Sequence, residues 1–408
     1  MTDLETRAAP PRAGALRRAA PALLGYAAVR ALGLLVLVLW SAARDKSAYT
    51  LLTARWDALW YVRVAELGYG YEVRLPNGDV HSNLAFFPLL PWLERLVAAV
   101  TPLSYADGGF LVAVAASLAA AWGIFAVAEH VYGRRAGVCA VLLWAVLPVG
   151  IVQSMAYSES LFTALAAWSL YAVLTGRWVT AGTLALLAGL TRPVGLAVVA
   201  AVWAGAVSSC VRTGRADRPP GAPDPARALP RTDDTPRTPL GAFGARRALG
   251  MLLAPLGTAG YVLWVGHRTG KGTLGYLEVQ AGWRNGFDGG YAFARFVAEK
   301  FTSFPSALAG AGLIVGVASV VWLYVSGVRG RQPLPLLVYT GVVTALALCA
   351  SSYFGSKPRL LMPAFPLLLP LATALAKHGV RRSARVLGPV AVASAVYGAF
   401  WLNGSGPP

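Results

Sequence analysis

Apolar runs of about 18 to 22 residues, separated by short clusters of arginine, recur along almost all of this 408-residue chain. Each run is long enough to cross a hydrocarbon core roughly 30 Å thick as a helix, and a helix satisfies its own backbone N–H and C=O groups there. A soluble domain of this size needs more polar surface than a chain that is 56% hydrophobic and 13% charged can provide. The expected fold class is therefore an all-α integral membrane protein, a single multi-span helical bundle over 1–408. Hydrophobic spacing predicts about eleven spans: 19–42, 108–129, 135–153, 158–175, 178–191, 193–211, 247–266, 306–327, 333–351, 359–376 and 384–402.

Charge orients the bundle. The net charge of +18 is mostly arginine, and it falls between apolar runs, as the positive-inside rule requires, with no accompanying nucleic-acid motif. With the N-terminus cytoplasmic, Arg134, Arg135, Arg177, Arg329, Arg331 and the cluster at 377–385 all share its side, provided 84–103 does not cross. That segment carries Pro88, Pro91, Glu94 and Arg95 and is expected to be a helix lying in the interface. It belongs to a long first outer loop, 43–107. The Pro- and Arg-rich stretch 212–246 is expected to be a disordered cytoplasmic linker. The first apolar run shows no short core closed by a small-residue cleavage site, so it reads as an uncleaved span. The location expected is the cell membrane.

Several chemistries lack their signatures. Cys139, Cys210 and Cys349 have neither CxxC spacing nor a nearby histidine. The chain has no Walker A loop, HExxH, GxSxG or DxD motif. No metal site is indicated, and a metal requirement stays open.

The remaining polar residues sort to the outer side. Asp57 lies in RWDALWY (55–61), where aromatic surroundings favour either a base with a raised pKa or an interfacial belt of Trp56, Trp60 and Tyr61 in which Arg55 pairs Asp57. Glu159 opens the fourth span, where it serves either as a favourable first-turn acid or as a functional group at a helix mouth. Arg192, Lys357 and Arg359 are cations on the side that topology disfavours, and they suit the oxyanions of a lipid phosphate or of lipid headgroups. His81 stands apart from other ligating residues and joins Arg55, Trp56 and Glu159 as a candidate substrate contact of the outer face.

Together, RWDALWYVRVAELGY and NLAFFPLLPWLERL resemble the first luminal loop of the PIG-V family, the second mannosyltransferase of GPI-anchor synthesis, and its bacterial relatives. AYSESLF (156–162), GLTRPVGL (189–196), QAGWRNGFDGG (280–290) and SKPRLLMPAFPLLLPLA (356–372) resemble bacterial members in the same order. The resemblance implies a GT-C-type bundle that transfers mannose, with inversion, from a polyprenyl-phosphate donor to a glycolipid or glycan acceptor on the extracytoplasmic face. It also implies that Asp57, at the matching W-D position, is the general base. One carboxylate suffices for such a reaction, because a polyprenyl phosphate leaves as a stable anion and needs no acid. Two alternatives stand beside this expectation. One is transfer of another lipid-linked sugar, or transfer to protein. The other is a polyprenyl-linked sugar carrier, although a carrier places ionisable groups near the midplane and often carries repeats.

Overall fold

The computed structural model describes residues 12–216, 242–404 and 406. Helices dominate in the order α1 (Arg12–Ala42), α2 (Ala48–Thr53), α3 (Asp57–Leu67), α4 (Leu89–Val100), α5 (Tyr105–Tyr132), α6 (Arg134–Ala145) and α7 (Ser158–Leu174). There follow α8 (Trp178–Gly189), α9 (Leu196–Ala216), α10 (Ala242–Leu253), α11 (Leu256–Thr269), α12 (Gly275–Gly282) and α13 (Tyr291–Glu299). The chain closes with α14 (Ser306–Arg329), α15 (Leu334–Cys349), α16 (Lys357–Leu361), α17 (Leu369–Ala376) and α18 (Val380–Leu402). Two short antiparallel pairs complete it: β1 (Glu72–Arg74) with β2 (Val80–Ser82), and β3 (Gly286–Phe287) with β4 (Ala350–Ser351).

Among the described residues, six helices are long and apolar enough to span a membrane, or seven if the bent pair 354–361 and 365–376 counts as one. The shorter apolar helices α7, α8 and α15 have 17, 12 and 16 residues. Breaks explain why the apolar runs read from sequence yield fewer full-length helices. The run 135–153 is helical only to Ala145 and then continues as a 3-10 turn, Gly150–Ser154. Buried Arg30 of α1 fills that break by donating to the carbonyls of Ala145 and Gly150, groups that a helix end leaves unsatisfied. Pro363 lies in the second break, where the chain bends by 74°. Most of the linker expected at 212–246 lies outside the described residues; α9 runs on to Ala216.

The main core joins α1, α5, α6, α7, α8, α9, α15 and α17. At its centre Trp144 stacks on Tyr26 with ring centroids 5.5 Å apart, and its indole donates to the Met362 carbonyl at 3.1 Å. Small residues let backbones approach elsewhere. A Cβ at Gly257 of α11 would overlap the Leu186 carbonyl of α8.

The first loop is folded. Helix α4 buries Leu90, Pro91 and Glu94 against its neighbours and exposes Trp92, Leu96 and Val100. Asn83 is fully buried; its side-chain amide donates to Gly68 O and its carbonyl accepts from Gly70 N, which closes the loop between α3 and β2. The second long loop docks on the first. Trp283 stacks on His81 at 4.0 Å and donates to Ser82 O, while Arg284 pairs with Asp79 at 2.6 Å.

Candidate active site

Helix α3 begins at Asp57, and the residue before it, Trp56, has φ 52° and ψ −123°. This conformation is uncommon for a residue with a side chain. It turns the chain sharply from α2 into α3 and leaves Asp57 at the first position of the helix, a favourable place for an acid.

Four charged groups from four separate segments converge there. Arg359 Nη1 of α16 donates to Asp57 Oδ2 at 2.8 Å, and Arg359 Nε lies 3.2 Å from Glu159 Oε1 of α7. Arg192, in the turn between α8 and α9, reaches the same Glu159 oxygen at 2.5 Å. The cluster is neutral overall: two carboxylates, two guanidiniums. Its members differ in access. The Glu159 side chain is 1% exposed, Arg359 8%, Arg192 14% and Asp57 26%. Glu159 therefore acts as the buried counter-charge of both arginines, and Asp57 is the carboxylate that solvent or a substrate can reach. Among the described residues no donor is bonded to Asp57 Oδ1.

Tyrosines frame the cluster. Tyr61, one helical turn after Asp57, shares a 2.7 Å hydrogen bond with Ser158 Oγ, which also accepts from Arg192 at 3.3 Å. The Tyr157 ring lies beneath the Arg359 guanidinium, 5.1 Å from centroid to Cζ, and its hydroxyl is buried. Burial raises the Tyr61 phenol above its usual range; Arg192 opposes the shift, and Asp57 and Glu159 add to it. Burial, then the Asp57 charge, does the same for Tyr157. Both stay protonated at neutral pH.

Of the residues expected from sequence, Asp57, Glu159, Arg192 and Arg359 come together. Trp56 supplies the turn before Asp57. Arg55 stacks over Trp56 at 4.1 Å and donates to Leu402 O at 3.4 Å, at the end of α18. His81 sits in the aromatic contact between the two long loops, which reaches the cluster through Trp60, Phe86 and Tyr61. Burial lowers the His81 pKa, with Asp79 and Arg284 acting in opposite directions. Lys357 is committed elsewhere. Its ammonium donates to the carbonyls of Ala347, Leu348 and Ala350 at 2.9, 3.3 and 2.9 Å and lies over Phe293. With three bonds made, it caps α15 and has no proton free for a phosphate. The sequence marks Tyr61 only as a member of the interfacial belt, and it does not mark Tyr157. The i, i+4 spacing from Asp57 was an available signal for Tyr61; for Tyr157 there was none beyond its place beside Ser158.

No protein-family model and no curated protein matches the chain. Among solved structures it is similar to ArnT from Cupriavidus metallidurans bound to undecaprenyl phosphate, with TM-score 0.48, 15% identity, and coverage of 86% of this chain and 60% of that one. It is also similar to the archaeal oligosaccharyltransferase AglB from Archaeoglobus fulgidus in complex with an inhibitory peptide and a dolichol-phosphate, with TM-score 0.46, 13% identity, and coverage of 94% and 56%. In both comparisons this chain spans less than two thirds of the solved chain's length.

Proposed function

We propose that this protein is a GT-C-type membrane glycosyltransferase that moves mannose from a polyprenyl-phosphate donor to a glycolipid or glycan hydroxyl on the extracytoplasmic face of the cell membrane. The observation that carries the reading is the unequal pair of carboxylates. Glu159 is sealed between two arginines, whereas Asp57 is accessible and, among the described residues, is anchored through Oδ2 alone. A single reachable carboxylate is what a reaction with a stable phosphate leaving group requires.

In this mechanism the acceptor O–H gives its proton to Asp57 as the acceptor oxygen bonds to the sugar's anomeric carbon. The bond from that carbon to the phosphate oxygen breaks, and its electron pair leaves with the polyprenyl phosphate. Attack opposite the leaving group inverts the anomeric centre. Arg192 and Arg359, already fixed by Glu159, supply positive charge beside the departing phosphate, which is preorganised electrostatic stabilisation. Helix α4, with Trp92, Leu96 and Val100 exposed along it, suits a helix at the membrane surface where a lipid-borne sugar arrives.

The test uses membranes supplied with radiolabelled polyprenyl-phosphate-mannose. Wild type transfers label to lipid-extractable or glycan material, and Asp57→Asn lowers the rate by about 10²- to 10⁴-fold, the range for losing a general base. Unimpaired transfer by Asp57→Asn overturns the base assignment. Transfer by wild type from a different lipid-linked sugar, with none from mannose, overturns the donor.

A further inference from the structure

Helix α4 turns Trp92, Leu96 and Val100 outward and lays its other face on α5 and α3. At the centre of that inner face is an acid. Glu94 is fully buried, and among the described residues neither of its carboxyl oxygens has a hydrogen-bond partner. It rests against a glycine pair of α5. A Cβ at Gly109 would lie 2.5 Å from Glu94 Oε1, and one at Gly108 3.2 Å from the Glu94 backbone carbonyl. The missing side chains on α5 leave the room that this carboxyl fills.

Among the described residues no cation offsets Glu94. On α5, Asp107 is held by Ser104 and Tyr49. On α3, Asp57 pairs with Arg359, Tyr61 bonds to Ser158, Arg63 lies over the rings of Trp60 and Tyr71, and Glu66 is exposed. On α7, whose Leu161 packs in one cluster with Leu90 of α4, Glu159 is taken by Arg192 and Arg359. On α4 itself, Arg95 donates to the carbonyls of Val64 and Ala65 near the end of α3. A carboxylate stripped of water with neither donor nor cation is strongly disfavoured, so the buried form of Glu94 is the neutral acid.

We propose that α4 is a proton-gated latch, seated on α5 while Glu94 is protonated and released when that carboxyl gives its proton to water. Burial raises the group well above the ordinary carboxylate range. Because the seated pKa exceeds the released value of about 4.3, seating is full below that pH and is lost as pH rises through the seated pKa. Buried glutamates reach about 8–9, which puts the working range across neutrality. Arg95 carries the release to α3, because its two bonds hold the far end of the helix that Asp57 begins. That link to sugar transfer rests on the transferase reading; the latch does not.

The experiment is hydrogen exchange of amides 89–100 in the purified full chain, corrected for intrinsic rate. One proton linked to release makes wild-type protection fall about tenfold per pH unit between pH 5 and 7. Glu94→Gln, neutral throughout, keeps its protection across that range, and α6 changes in neither protein. Gly109→Ala reads the same seat without touching the acid: its methyl displaces the carboxyl, and 89–100 exchange quickly already at pH 5. Wild-type protection that is independent of pH or falls on the acid side, the wild-type slope in Glu94→Gln or in α6, or full protection in Gly109→Ala at pH 5 overturns the latch. Failure of the transferase reading shows separately, as absent sugar transfer with the slope in α4 intact.

Discussion

Glu159 and Asp57 both answer to Arg359, yet burial gives them different work. Removing a buried charge strands its partners, and breaking a buried ion pair from one side costs about 3–5 kcal/mol. Glu159→Gln leaves Arg192 and Arg359 without their shared counter-charge, so a loss of stability of that order is expected in a denaturant titration of the purified protein. Asp57 is partly exposed and Arg359 keeps Glu159 when it is gone; Asp57→Asn is expected to cost no more than about 1 kcal/mol. A comparable loss in both variants would contradict this division between a structural and a chemical carboxylate. Local sequence made Asp57 legible, because an acid among aromatics after a span is unusual. It did not show that Glu159 and Arg192 neutralise each other, since they lie 33 positions apart in the chain and only folding brings them to 2.5 Å.

Element packing depends on backbones that touch. Alanine is the better helix former by about 1 kcal/mol, but a Cβ at Gly257 meets the Leu186 carbonyl, and backbone cannot rotate away. Gly257→Ala is therefore expected to destabilise the α8–α11 contact by about 1–3 kcal/mol, seen as a lowered Tm in detergent; a raised Tm would show that the helices separate easily. The contact between the two long loops is expected to respond to pH through His81, which stacks on Trp283. Its folded pKa lies below the unfolded value of about 6.5, because burial disfavours the charged ring. The unfolded state then binds more protons as pH falls, so stability is full above about 6.5 and declines below it. Hydrogen exchange of amides 79–85, corrected for intrinsic rate, is expected to quicken at pH 5 relative to pH 7.5. In His81→Phe the difference should vanish; its persistence would assign the effect to another group.

For the whole molecule, the shared end of the bundle carries the argument. Lys46 and Arg55 bond to the end of α18, Tyr61 to the start of α7, and Arg359 to the start of α3. Helix α7 leads away from that end for 17 residues, about 25 Å at the helical rise. Exposed Asn77 in the first loop and exposed Arg177 after α7 are therefore expected on opposite sides of the membrane. In a background with the three native cysteines replaced, a membrane-impermeant thiol reagent applied to intact cells should label Asn77→Cys and spare Arg177→Cys. Labelling of both from outside would defeat the orientation.

Apolar run length determined the helical class, because lipid demands contiguous apolar segments, and arginine placement set only an expected orientation. The breaks at Ala145 and Pro363 were not legible, since composition alone does not show which carbonyls Arg30 satisfies or where a proline bends a span. The candidate residues were visible singly, through residue type and expected side. Tertiary structure alone decided that Lys357 caps a helix, that Glu159 is sealed between two arginines, and that Asp57 remains within reach. Access and pairing are set by contacts between segments distant in the chain, and a single sequence does not encode those distances locally.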